Sequence, residues 1–187
     1  MKRFLKATAA AAIVTVASAT STLAEWAPEG PIKMLIAFAA GGGADTQARL
    51  IADDIQAATG WEIIPEQVTG KGGVNALVAL KDMPADGTTI AMVVTESLGY
   101  NAAAAEGSGV MPSGFTGLTT TAGFQMAVVA KADKGWTSFE DMIADASSGD
   151  LRFGTMSPRL SDLAFLLGEV QGVEFNIVQV RGGRAVM

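Results

Sequence analysis

The segment Phe38-Ala39-Ala40-Gly41-Gly42-Gly43-Ala44-Asp45 has the residue types of a small-anion site. Three glycines after an apolar run let the backbone turn sharply and approach a ligand with no Cβ atoms in the way. A helix starting there presents unpaired N–H groups and a partial positive charge, which suit a carboxylate or a phosphate. The same residues also suit a tight turn with Asp45 as a helix cap. Two further segments carry hydroxyls where an apolar run ends: Thr95-Glu96-Ser97 and Thr155-Met156-Ser157-Pro158. If those runs are parallel strands, this is the end at which α/β sheets bind ligands. Turn and cap chemistry is the competing use of Thr95, Ser97, Thr155 and Ser157.

Nucleotide chemistry fails on spacing. Gly41 to Asp45 does not give G-x-G-x-x-G with an acidic residue about 20 positions on, and Gly70-Lys71-Gly72-Gly73-Val74-Asn75 lacks the P-loop order. The 187 residues include no His and no Cys, so a Ser-His-Asp triad, a thiolate nucleophile and His- or Cys-based metal sites are excluded. Nothing signals a base that would activate Ser97 or Ser157. No D-x-D-x-D-G metal loop occurs, so no metal or other cofactor is expected. With 13 Lys+Arg against 19 Asp+Glu, the chain does not suit nucleic acid, which is held by clustered cations.

The elements that must position these residues alternate. Residues 1–24 read as a secretory signal peptide: Lys2, Arg3 and Lys6, then an Ala-rich apolar stretch, then small residues before Glu25. Export to a Gram-negative periplasm is the matching location. Without that segment, 163 residues keep 10 basic and 19 acidic side chains, a net charge of −9. Strands are expected at 32–38, 61–64 and 89–94, with helices at 45–58 (closed by Gly60) and 74–81. That order predicts a parallel α/β sheet. After an Ala/Gly/Ser-rich stretch, strands are expected at 126–130, 151–154 and 175–180. Helices should start at Ser138, with Asp141 completing a capping box, and run from 160 to 170. Arg181-Gly182-Gly183-Arg184 looks like one more strand-to-helix turn.

Pro31-Ile32-Lys33-Met34-Leu35-Ile36-Ala37-Phe38-Ala39-Ala40-Gly41-Gly42-Gly43-Ala44-Asp45, followed by Ala48-Arg49, resembles the opening of the Bug/TctC proteins, the solute-binding receptors of tripartite tricarboxylate transporters. Gly70-Lys71-Gly72-Gly73, Ala85-Asp86-Gly87-Thr88-Thr89, Trp136-Thr137-Ser138-Phe139-Glu140-Asp141 and Arg181-Gly182-Gly183 resemble later family motifs in the same order. The resemblance implies a periplasmic-binding-protein-like fold of two α/β lobes closing on a small organic carboxylate, with membrane transporter subunits as partners and no enzymatic activity. It places lobe I at 25–122 and a partial lobe II at 123–187, because family members continue for well over a hundred residues more. Apolar surface should therefore be exposed.

Carried over, the ligand-binding residues are Phe38, Ala39, Gly41, Gly42, Gly43, Ala44 and Asp45, with Thr95 and Ser97 beside them. Thr155, Ser157, Asp162, Arg181 and Gly182 face them from lobe II. Ala40 stands where the family has proline, and Asp162 where it commonly has histidine. A Rossmann-like phosphate- or nucleotide-binding enzyme domain, and a receptor remnant without activity, are the competing readings.

Overall fold

The computed structural model describes residues 26–123, 125–149 and 151–182. The expected signal peptide, and Gly183 and Arg184 of the last turn, lie outside them.

β1 (Ile32–Ile36), α1 (Gly43–Thr59), β2 (Ile63–Gln67), α2 (Val74–Lys81) and β3 (Thr89–Met92) form the first unit. The sheet order is β2-β1-β3, all parallel, with Ile32 opposite Ile63 and Lys33 opposite Thr89. β1 is central and needs apolar residues on both faces, which explains its continuous run. Ile32, Met34 and Ile36 pack on Ala48 and Ala52 of α1, while Leu35 and Ala37 pack with Ala76 of α2. Pro65 sits in β2, an edge strand among the described residues, where a missing N–H is tolerated. Gly60 ends α1 in the left-handed region at φ 76°.

β2 lies later than the expected 61–64. Ile32 N donates to Glu62 O, so pairing begins one residue after Trp61, whose ring meets Trp26 edge-on at 5.5 Å. Two short helices follow β3: α3 (Thr95–Leu98) and α4 (Tyr100–Ala104). Ala102 and Val110 join Val74 and Leu77 in a further apolar cluster.

The second unit comprises α5 (Phe139–Ala146), β4 (Arg152–Thr155), α6 (Pro158–Gln171) and β5 (Asn176–Gln179). β4 and β5 are parallel, with Arg152 opposite Asn176. Met142, Ala146 and Phe175 form its core, with Phe153 tilted against Phe175 at 5.1 Å between ring centres. The capping box at α5 is present: Ser138 accepts from Asp141 N, and the Asp141 side chain accepts from Ser138 N.

The strand expected at 126–130 does not form. Met126, Val128 and Val129 are exposed and carry no strand assignment. A strand exists only against a partner, and no described strand pairs with this segment. α6 likewise exposes Leu163, Phe165, Leu166 and Val170. Among the described residues no helix is long and apolar enough to cross a membrane.

Candidate functional site

The C-terminal ends of the three parallel strands carry the loops singled out above. Gly41 makes the first turn, at φ 73°, a backbone region that glycine enters without strain. Gly42 caps α1 in extended conformation and Gly43 already lies in the helix, so only one of the three glycines is needed for left-handed geometry. The first intrahelical bond runs from Thr46 N to Gly42 O. The N–H groups of Gly43, Ala44 and Asp45 precede that ladder and point toward the N-terminal pole of the helix. Phe38 is buried, in one cluster with Leu35, Ala37 and Ala76.

Asp45 is not an N-cap. Its carboxylate accepts from Gly41 N at 2.7 Å, from Arg49 Nε at 2.9 Å and from the Gln67 amide at the end of β2. Those bonds tie the glycine turn, α1 and the sheet together, so the side chain holds the loop in shape. Gln67 is a partner of Asp45 that sequence spacing could not supply.

A second glycine turn stands beside the first. Gly70, Lys71, Gly72 and Gly73 have φ of 121°, 49°, 61° and 93°. Gly72 O accepts from Ser97 Oγ at 2.7 Å and from Asn101 Nδ2 at 3.0 Å, and both side chains are fully buried. A Cβ on Gly73 would lie 2.3 Å from Ser97 Oγ. The Ser97 hydroxyl is thus committed to the backbone of the neighbouring turn. Asn101 does the same work from α4, and no sequence motif marked it. Thr95 opens α3 and is exposed.

The two units meet along a seam at these loops. Ala39 N donates to Arg181 O at 3.3 Å, and a Cβ on Gly182 would stand 3.3 Å from Ala39 Cβ. Arg159 Nη1 donates to Glu96 Oε1 at 2.7 Å, with Ser157 Oγ reaching Glu96 Oε2 at 3.4 Å. Tyr100 donates its hydroxyl to Asp162, and that carboxylate holds the phenol above its ordinary pKa. Ser157 caps α6 by accepting from Leu160 N, while Thr155 Oγ1 pairs with Ser161 Oγ at 2.7 Å. The structure therefore brings Ala39 to Arg181 and Gly182, and Ser157 to the Thr95–Ser97 segment through Glu96. It binds Asp162 to Tyr100, and it turns Thr155 inward to Ser161. A cavity of about 430 Å³ opens along the seam, lined by Lys71, Ala104, Ala105, Glu106, Pro158 and Gln179. No group of three or more His, Cys, Asp or Glu suited to a metal ion occurs among the described residues.

No family model matches the chain. A Cupriavidus necator protein, the UPF0065 protein in the gbd 5′ region, is 27% identical over 194 residues, covering 97% of this chain and 56% of its own length. Protein BugT of Bordetella pertussis is 32% identical over 101 residues, 54% of this chain and 29% of that one. The chain is similar to these UPF0065 and Bug proteins.

Solved structures agree on the fold. MatC from Rhodopseudomonas palustris with bound malate superposes with a TM-score of 0.67 at 21% identity, over 83% of this chain and 54% of that one. A second R. palustris protein, solved with adipate, gives 0.63 at 23% identity, over 87% and 56%. The periplasmic binding protein BugD gives 0.54 at 15% identity, over 85% and 55%. The chain spans about half the length of these structures and of the curated relatives it matches along most of its own length. The chain has two parallel sheets, with the glycine turn at the edge of their seam.

Proposed function

We propose that this chain is a periplasmic solute-binding protein that takes a small organic carboxylate between two α/β lobes and presents it to the membrane subunits of a tripartite tricarboxylate transporter. Lobe I covers 25–122 and lobe II begins at 123. The observation that carries the reading is the meeting of two loops that follow parallel strands, one from each sheet, at Ala39 and Arg181. Such a seam opens and closes by rotation about the connecting segment, the usual motion of two-lobe receptors. The N–H groups at the start of α1 supply an anion grip from lobe I that needs neither His nor Cys. The relatives solved with malate and adipate hold acids of the expected size. Export is proposed on the signal-like residues 1–24 and on the periplasmic relatives.

The test is a thermal-shift panel on the full chain purified from the periplasm of an expressing cell. Malate, adipate and citrate stand against ATP, NAD and buffer. A carboxylate at 100 times its Kd adds about 2.7 kcal/mol to native-state stability, a rise of roughly 5–10 °C for a chain of this size. Stabilisation by a nucleotide alone would support the enzyme-domain reading, and no response from any compound would leave the remnant.

A further inference from the structure

We infer that α6 is the contact face of a twofold dimer of this chain, in which the outer stripe of one copy packs antiparallel on the same stripe of another. The inference is independent of what the protein binds.

α6 is apolar on two sides. Ala164 and Gly168 are buried, and Leu167 packs into the cluster of Met142, Ala146 and Phe175. Leu163, Leu166 and Val170 lie on the outer side and are 48%, 55% and 79% exposed. With Arg159 they follow one another at steps of four, three and four residues, which traces one line along a helix. A helix on the surface of a globular protein keeps one such line apolar and the rest polar, whereas a helix apolar on both sides is covered on both. Steps of four and three are also the spacing at which two helices interlock their side chains. Phe165 falls off the line, beside Asp162 and Glu169.

The charges say what covers the stripe. It begins at Arg159 and runs toward Glu169 and Glu174, both exposed and in none of the four ion pairs among the described residues. Arg159 gives Nη1 to Glu96, and a guanidinium has further N–H groups to donate. A second copy turned end for end about an axis near Leu166 sets Leu163 beside the other copy's Val170, and Val170 beside its Leu163. The same rotation brings each Arg159 to the far end of the other α6, where Glu169 and Glu174 stand. A parallel copy would set Arg159 against Arg159 and glutamate against glutamate. The stripe is therefore complementary to itself in the antiparallel arrangement, the condition for a closed twofold interface. An anionic bilayer is the poorer occupant, since α6 has one Arg, no Lys, and Asp162 and Glu169 beside the stripe. Three apolar side chains per copy make a small interface, so a dissociation constant on the order of 10–100 μM is expected.

Sedimentation equilibrium of the full chain over ~1–500 μM tests the inference and should show a monomer–dimer equilibrium inside that range. Leu166→Gln and Val170→Lys should each weaken the dimer by ~10-fold or more, with the melting temperature of the dilute monomer unchanged. The chain has no Cys, so a single introduced thiol reports the geometry. Under diamide, Leu166→Cys should cross-link to itself, and a mixture of Leu163→Cys with Val170→Cys should give more mixed dimer than either forms alone. Leu118→Cys, exposed away from α6, should not cross-link. A monomer throughout the range overturns the inference, as does a dimer that neither stripe variant weakens, or association that continues past two copies. Equal cross-linking of Leu166→Cys and Leu118→Cys also overturns it. So does pelleting with phosphatidylglycerol vesicles that Leu166→Gln abolishes, which gives the stripe to a lipid surface. Protection of Leu166→Cys from iodoacetamide in the dilute monomer overturns it too, because another segment of the same chain then covers the stripe.

Discussion

Arg159, at the start of α6, holds Glu96 of α3 through a 2.7 Å bond from Nη1 to Oε1, and this pair joins the two sheets across their seam. Glu96 is largely buried, whereas Arg159 is half exposed. Screening therefore limits the net worth of the pair to about 1 kcal/mol or less. Its effect is on closure. Arg159→Met should open the seam with little change in urea stability, and small-angle scattering should show a larger radius of gyration than for the parent. Equal radii would show that the pair does not hold the seam.

Asp45 gathers three donors around one buried carboxylate: Gly41 N, Arg49 Nε and the Gln67 amide. Asp45→Asn keeps the shape but removes the charge and turns part of the group into a donor facing donors. Bonds to a charged acceptor are worth about 1.5–3 kcal/mol, so a loss of about 2 kcal/mol in urea unfolding is expected. The Gly41 turn should loosen as well, seen as faster amide exchange at Gly41 and Gly42. A loss below about 0.5 kcal/mol, the range of inert surface changes, would mean the carboxylate is not the anchor of the loop.

Gly73 and Gly43 make an internal comparison of two glycines that read alike in sequence. A methyl on Gly73 meets Ser97 Oγ at 2.3 Å and Ala37 Cβ at 3.2 Å, at φ 93°. A methyl on Gly43 meets nothing within 4 Å, inside a helix. Gly73→Ala should cost about 3 kcal/mol or more through overpacking and left-handed strain. Gly43→Ala should be neutral or slightly stabilising, by up to about 1 kcal/mol. Chemical denaturation of the two variants separates them.

What could be read in advance follows the range of the interaction. α2 has the expected ends, 74–81, because a glycine turn precedes it and a Pro-Ala-Asp-Gly turn follows. The Gly60 cap and the Ser138–Asp141 box are likewise local and were legible. The strand expected at 126–130 fails because pairing is a property of two segments, and the sequence pattern reports only one. The site divides in the same way. The turn at Gly41 is a matter of neighbouring residues, whereas Asp45 with Gln67, Ser97 and Asn101 with Gly72, and Arg159 with Glu96 are separated by 22 to 63 positions.

The α5 cap supplies a pH dependence whose direction is fixed. The Asp141 carboxylate accepts from Thr137 N at 2.7 Å, from the Thr137 hydroxyl at 3.0 Å and from Ser138 N at 3.0 Å. The Thr137 backbone bond, followed by its hydroxyl, holds the carboxyl below the ordinary aspartate value of 3.8. A folded-state pKa below the unfolded one means that the unfolded chain takes up the proton first as the medium is acidified. The contribution is complete above the ordinary value and disappears as the pH falls through the lower folded-state value. Asp141→Asn should lower the melting temperature near neutrality. It should also flatten the decline in melting temperature on acidification through that window, relative to the parent chain. Parallel acid profiles for parent and variant would show that the Asp141 charge does not stabilise the cap.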